Sequence, residues 1–294
     1  SLSFVPLKTN NFTWDASVNF AKNYNEVVKL HDEVKDFELA SARWANASIY
    51  ASEGQPYGVI VGQKLKRTEK GDVIYENGLP TFDDKVSVLG NGNYDFTLGF
   101  RNAFTYKNLS MSVLFDMKFG ADIYSMSAMQ SHVNGTSKET LEGRQEWYSS
   151  EQKRQSAGVP AGNWIATGGY VGKGVMAIKN DDGEMIYVPN NVCVDPAKYW
   201  QALQTTSPEP FIYDNSFVKL REISLSYNCP KKWFVHTPIE SITLSAYGRN
   251  LLLIYSNVDN IDPESSYNNG NGQGFEYGSL PSRRTFGFGI NVKF

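Results

Sequence analysis

The chain has 294 residues, 28 basic against 31 acidic for a net charge of −3, and an aromatic content of 14% beside 25 Gly. The near-neutral balance offers no basic footprint for nucleic acid, and three His with two Cys leave little material for a metal site. Mean hydropathy is −0.40, and no apolar run approaches the roughly twenty residues that a membrane helix needs.

Residues 1–5 read as a short strand remnant, followed by a polar turn over 6–11. With no initiating Met and no signal segment, the expectation is a mature C-terminal fragment or one piece of a split polypeptide. The next strand spans 12–24, with Phe12, Trp14, Ala16, Val18 and Phe20 on one face and Thr13, Asp15, Ser17, Asn19 and Ala21 on the other. Residues 25–93 lose the alternation and form a long surface excursion. It holds a short helix or extended arm over 26–39 and a small hairpin from 57–65 and 73–75 around Lys70-Gly71-Asp72.

Alternation returns over 95–106, where Phe96, Leu98, Phe100, Phe104 and Tyr106 share a face that Asn102 interrupts. After the two-residue turn Lys107-Asn108, it continues through Leu109, Met111, Val113, Phe115, Met117 and Phe119. The opposite face carries Arg101, Asp116 and Lys118. A wet barrel lumen tolerates such charges, and so does the solvent face of a soluble sandwich, so the pattern leaves both open. Length favours the barrel: these strands run to about twelve residues against the usual 5–6.

A second excursion covers 122–214. A helix is predicted over 140–154 with Leu141 and Trp147 as apolar anchors. A Gly-rich stretch with Trp164 and Tyr170 follows, then a turn at Asn180-Asp181-Asp182-Gly183 and a Pro-initiated helix over 196–203 around Tyr199 and Trp200. The strand over 216–227 loses its phase at Lys219, Arg221 and Glu222, which predicts a bulge near Arg221-Glu222. A turn with Lys231, Lys232, Trp233 and Phe234 leads to a strand over 239–255 that points Thr243, Ser245, Tyr247 and Arg249 inward. A polar loop over 256–282 precedes the closing strand, in which Phe286, Phe288, Ile290, Val292 and Phe294 alternate with Thr285, Gly287, Gly289, Asn291 and Lys293. Short turns alternating with very long loops is the asymmetry of outer-membrane barrels.

No catalytic constellation emerges. His31, His132 and His236 lie on separate segments, each read as a solvated or capping residue with no nucleophile beside it. Gly168-Gly169 and Gly172-Lys173-Gly174 lack the spacing of a phosphate loop. Asp181 with Asp182, and Asp259 with Asp262 and Glu264, leave a weak calcium alternative to solvated turns, since neither has EF-hand spacing. Cys193 and Cys229 are expected to be unpaired.

Several stretches then carry a resemblance: Leu89-Gly90-Asn91-Gly92-Asn93-Tyr94-Asp95-Phe96, Phe119-Gly120-Ala121-Asp122-Ile123-Tyr124, residues 217–227, Gly248-Arg249-Asn250-Leu251, residues 257–264 and residues 287–294. Together they resemble the C-terminal barrel region of SusC/RagA-type TonB-dependent transporters of the Bacteroidetes outer membrane. Tyr94 departs from the pattern, since the family often has Pro there. The resemblance implies an all-β fold, about seven strands at the C-terminal end of a 22-stranded transmembrane antiparallel barrel. Residues 25–93, 122–214 and 256–282 would be its extracellular loops. It further implies a plug domain and TonB box upstream, a SusD-like lipoprotein lid, a dimer of transporter–lipoprotein pairs, and TonB-driven import of glycans or peptides without a cofactor.

Candidate ligand or lid contacts are Trp147, Tyr148, Trp164, Tyr170, Tyr199, Trp200 and Tyr267, because sugars and peptides both favour flat apolar faces bordered by hydrogen-bonding groups; packing of the loops is the alternative role. Candidate lumen or plug contacts are Arg101, Asp116, Lys118 and Arg249, and Phe294 resembles the outer-membrane assembly signal. The competing readings are a passive porin or adhesin-like barrel and a soluble all-β binding protein.

Overall fold

Period-2 alternation draws the chain into long strands because each places its apolar residues on one side and its Ser, Thr, Asn and Gly on the other. A computed structural model describes every residue except 43, 44 and 269. The chain opens with β1 (Leu2–Lys8) and β2 (Phe12–Lys22), then leaves for β3 (Asp36–Ser41), β4 (Ala47–Ser52), β5 (Val59–Leu65), β6 (Ile74–Glu76), β7 (Leu79–Pro80) and β8 (Phe82–Asn91). It returns as β9 (Phe96–Tyr106) and β10 (Leu109–Phe119), and leaves again for β11 (Asp122–Ser125), α1 (Met126–Val133), α2 (Arg144–Ser156), β12 (Val175–Lys179), β13 (Met185–Pro189), α3 (Pro196–Gln204) and β14 (Ile212–Asp214). Then come β15 (Phe217–Asn228) and β16 (Ser241–Ser256), the short β17 (Phe275–Glu276), and β18 (Thr285–Lys293).

Seven strands form one antiparallel sheet, the wall, in the order β1-β2-β9-β10-β15-β16-β18. Its register keeps like with like: Val18 faces Phe100, Phe100 faces Phe115, Met111 faces Leu225, and Ala246 faces Phe288, while Ser112 faces Ala103 and Ser224. The apolar face is largely uncovered, with Phe288 88% exposed. Asn102, which interrupts that face, is buried because Trp14 Nε1 donates to its side-chain oxygen at 3.1 Å. At Gly287 the polar face needs a residue without a side chain, since a Cβ there would lie 2.4 Å from the Tyr247 ring.

The conventional core lies elsewhere. Ile49, Ile60 and Tyr75 from the first excursion pack with Tyr124, Met126, Met129, Leu203 and Phe211 from the second and Phe275 from the third. The excursions thus fold together as one outer module, which includes a four-stranded sheet β3-β4-β5-β8 and the order β14-β11-β17. Several expectations change here. Residues 26–39 form no helix and end in β3, and β5 pairs with β4 and β8 instead of with 73–75. Strand β1 runs through Pro6 to Lys8 with an irregular register between Phe4 and Leu7. Leu141 is exposed, and the residue of α2 that is buried is Ser150, which accepts hydrogen bonds from Trp164 Nε1 and the Thr167 amide.

The predicted bulge is present. Leu220 and Glu222 both find partners on β16, in Leu252 and Arg249, which leaves Arg221 opposite Asn250 and Leu251. Asn250 adopts φ 52°, a left-handed conformation in which Asn is among the better-tolerated residues. Its side chain accepts from Arg221 Nη1 at 2.7 Å and donates to the Arg283 carbonyl at 3.1 Å. Asn250→Val, which adds left-handed strain of about 1–2 kcal/mol to the lost hydrogen bonds, is expected to lower the denaturation midpoint more than Asn250→Gly, which loses the bonds alone. Equal midpoints for the two variants would contradict this role for the backbone.

Candidate functional site

Two features above the wall carry polar chemistry. The first grows from the bulge. Asp116 pairs with Lys219 across β10 and β15, and the extra residue brings Arg221 and Glu222 to the same polar face. The loop after β16 supplies the acids. Lys219 Nζ, in a residue only 4% exposed, donates to Asp262 Oδ1 at 2.6 Å, Glu264 Oε2 at 2.8 Å and Ser282 Oγ at 3.2 Å. Arg221 forks onto both oxygens of Glu264, at 2.7 and 2.8 Å, and its Nε donates to Asp116 Oδ2 at 3.1 Å. Lys118 adds a third cation 3.7 Å from Glu264 and lies over the Tyr94 ring. The Asn215 amide ties Tyr94 Oη and the Pro263 carbonyl together, each at 2.9 Å.

Burial acts to raise the Glu264 carboxyl, but hydrogen bonds and charge from Arg221 and Lys219 outweigh it and draw it down to about 2. Burial likewise opposes ionisation of Asp262, and hydrogen bonds from Lys219, Ser282 and the Glu264 amide hold it well below the usual carboxylate range. Asp262 and Glu264 are therefore not solvated turn acids: their oxygens accept from Lys219, Arg221 and Ser282. No cluster of His, Cys, Asp or Glu among the described residues is arranged to hold a metal ion. Asp181 and Asp182 sit in the β12–β13 turn.

The second feature is a cleft of about 590 Å³ enclosed by α1, α2 and α3, lined among others by Arg144, Trp147, Tyr148, Gln152 and Trp200. Asp195 caps α3 by accepting from the Ala197 amide. Pro196, Tyr199, Trp200 and Leu203 recur at helical spacing on its buried face. Ser125 caps α1 in the same way, accepting from the Ala128 amide. His132, read from sequence as a solvated or capping residue, is buried. Its Nε2 meets Glu139 at 2.8 Å and its ring lies 4.5 Å from that of Trp200.

Of the seven candidate aromatics, the cleft gathers Trp147, Tyr148 and Trp200. The other four pack internally: Trp164 donates to Ser150, Tyr170 and Tyr199 have ring centroids 4.3 Å apart, and Tyr267 meets Phe275 edge-on. Of the four lumen candidates, Asp116 and Lys118 join the charge network. Arg249 pairs with Glu222 at 2.7 Å, and Arg101 Nε donates to Ser112 Oγ. Phe294 is exposed beside the end of β18. Sequence reading missed Lys219 and Arg221 as site residues, although their break in the alternation marked them. Cys193 and Cys229 are both free. The Gly-rich segment serves close packing: a Cβ at Gly172 would lie 2.1 Å from the Tyr75 ring.

Lys219→Met is expected to strand buried carboxylates at a cost of about 3–5 kcal/mol and to open residues 257–282 to proteolysis. Acid should release the same segment. Glu264 is held below its ordinary value of 4.5, so its contribution is complete above that pH and is lost as pH falls towards about 2. Hydrogen exchange in 257–282 followed from pH 5 to pH 2 checks it; protection unchanged across that range would contradict the assignment.

No family model matches the chain. Over all of its length the chain is 26% identical to TonB-dependent receptor P3 of Formosa agariphila and 25% identical to TonB-dependent receptor P26 of the same organism. TonB-dependent receptor P39, also of that organism, is 26% identical over 42% of the chain. The chain spans 28% of the length of P3 and of P26. In solved structures its fold matches part of the RagAB peptide transporter, at a TM-score of 0.59 and 16% identity over 99% of this chain and 28% of that one. It matches the RagAB peptide importer in its closed-closed state equally well, at 0.59 and 14% identity. P3 and P26, which match this chain from end to end, are thus TonB-dependent receptors, and the RagAB structures that share its fold are a peptide transporter and a peptide importer.

Proposed function

We propose that the chain is part of the wall and outer loops of a TonB-dependent barrel that imports oligomeric nutrients across a bacterial outer membrane. The observation that carries this reading is the wall's register, which gathers most apolar residues of the long strands on one largely uncovered face and most polar residues on the other. Strands of 11 or 12 residues such as β2, β9, β10 and β15 are long enough to cross a bilayer at a tilt. No described helix is long and apolar enough to do so.

In this reading β1 and β18 continue into further strands of a 22-stranded barrel, since a bilayer leaves no water to satisfy an open sheet edge. The excursions 25–93, 122–214 and 256–282 lie outside the cell. Arg101, whose guanidinium meets no carboxylate among the described residues, faces a plug domain. The outer module presents its aromatics to substrate, glycan or peptide, and to a SusD-like lipoprotein lid in a dimer of such pairs. The curated relatives, named TonB-dependent receptors, and the RagAB peptide transporter support import; neither name is that of an enzyme.

Phe100→Arg, on the apolar face, is expected to cost about 2–4 kcal/mol at mid-bilayer and to cut the yield of full-length receptor in the outer-membrane fraction. Ser112→Arg on the polar face should leave that yield near wild type. Equal yields would remove the lipid-facing assignment. Uptake of oligosaccharides or peptides by cells carrying the receptor should cease when TonB is deleted; undiminished uptake would favour a passive pore.

A further inference from the structure

We propose that the helical cleft of the outer module binds an acidic sugar, with Arg144 holding the carboxylate of a uronate ring that stacks on Trp147 or Tyr148. The inference rests on the import reading and names a substrate class within it.

The charges around the cleft are unequal. Glu151 is spent on Arg154, His132 on Glu139, and Asp195 caps α3. Arg144 has no carboxylate partner among the described residues. Three of its five N–H groups go to neutral oxygens: Nε to the Thr140 carbonyl at 2.6 Å, and Nη2 to the Gly135 carbonyl and Thr140 Oγ1, both at 2.5 Å. Both hydrogens on Nη1 remain without an acceptor among the described residues. Arg144 is also the first residue of α2, the end where the helix dipole disfavours a cation. The fold thus holds a guanidinium in place through its far edge and gives it no anion. A carboxylate oxygen accepting a charge-assisted hydrogen bond from Nη1 is the partner that completes it.

The rest of the lining distinguishes a sugar from a peptide. Extended peptides are commonly held by the unpaired backbone of a strand edge, but no strand among the described residues lines this cleft. Among the side chains that do, the neutral amides of Gln152 and Gln155 both donate and accept, as hydroxyl groups require. Tyr148, 58% exposed, and Trp147 offer ring faces. Trp200 Nε1 is a buried donor without an acceptor on the same wall.

The test uses purified full-length receptor titrated with trigalacturonate, with maltotriose as a neutral sugar of equal ring count, and with trialanine as competitor. Wild type should bind trigalacturonate more tightly than maltotriose. Arg144→Gln, which keeps an amide donor for the neighbouring carbonyls, should weaken the acidic trimer roughly tenfold to hundredfold and leave the neutral one unchanged. Tyr148→Ala, at an exposed position, should weaken both sugars and reports on the cleft even if Arg144→Gln loosens residues 135–143. No binding of trigalacturonate by wild type, equal affinity for the two sugars, an unchanged Arg144→Gln, or displacement by trialanine would each overturn the proposal. TonB-independent uptake with the binding pattern intact would sink the import reading and leave the cleft standing. TonB-dependent uptake with Arg144→Gln binding as wild type would do the reverse.

Discussion

One extra residue in β15 sets how the outer module meets the wall. Strict alternation would put Arg221 and Glu222 on opposite faces; the bulge lets Lys219, Arg221 and Glu222 all face the polar side while Leu220 and Ile223 keep the apolar side intact. Glu264 then serves three cations from two neighbouring strands, Lys118 on β10 and Lys219 and Arg221 on β15. A single carboxylate from the last loop thereby joins that loop to both strands, and the bulge is what makes the geometry available.

The same network protects register. Asp116, Asp262 and Glu264 balance Lys118, Lys219 and Arg221, so the cluster is neutral as a whole and each member is desolvated beside an opposite charge. Such clusters gain little over apolar packing, but they penalise error heavily. A one-residue slip of β15 against β10 would turn Lys219 to the apolar face and part it from Asp262 and Glu264. Hydrophobic complementarity alone discriminates weakly along a wall in which Phe, Leu, Val and Met recur at every second position, and the ion pairs supply the missing discrimination.

The wall was legible in the sequence because its information is local. Alternation, the Lys107-Asn108 turn and the broken phase at Arg221-Glu222 each lie within a few residues, and each became the element it suggested. The charge network was not legible, since Asp262 and Glu264 sit 43 and 45 residues from Lys219 in a stretch whose composition reads as a turn. The outer module was harder still. Its core joins Ile49, Met129 and Phe275 from three separate excursions, and α1 is short, with Met126, Met129 and His132 as its buried face. That pattern is too brief to announce a helix. The cleft therefore became visible only in three dimensions, although Trp147, Tyr148 and Trp200 were already candidates.

Besides the direct chain links from β10 through β11 to α1 and from α3 through β14 to β15, the loop after β16 also ties the cleft to the wall. Near its start Asp262 and Glu264 are fixed by the wall cations. Further along, β17 pairs in parallel with β11, and the Glu276 carboxylate, buried at 2% exposure, accepts from Ser125 Oγ at 2.7 Å and Ser127 Oγ at 2.6 Å. Both serines begin α1, where the positive end of the helix dipole favours a carboxylate. Helix α1 in turn contributes His132 and Val133 to the cleft. Moving α1 away from β17 thus requires parting Glu276 from two hydroxyls. That disrupts hydrogen bonds to a carboxylate, the costlier class of bond to break in a buried setting. A ligand that shifts α1 in this way must supply the difference in binding free energy.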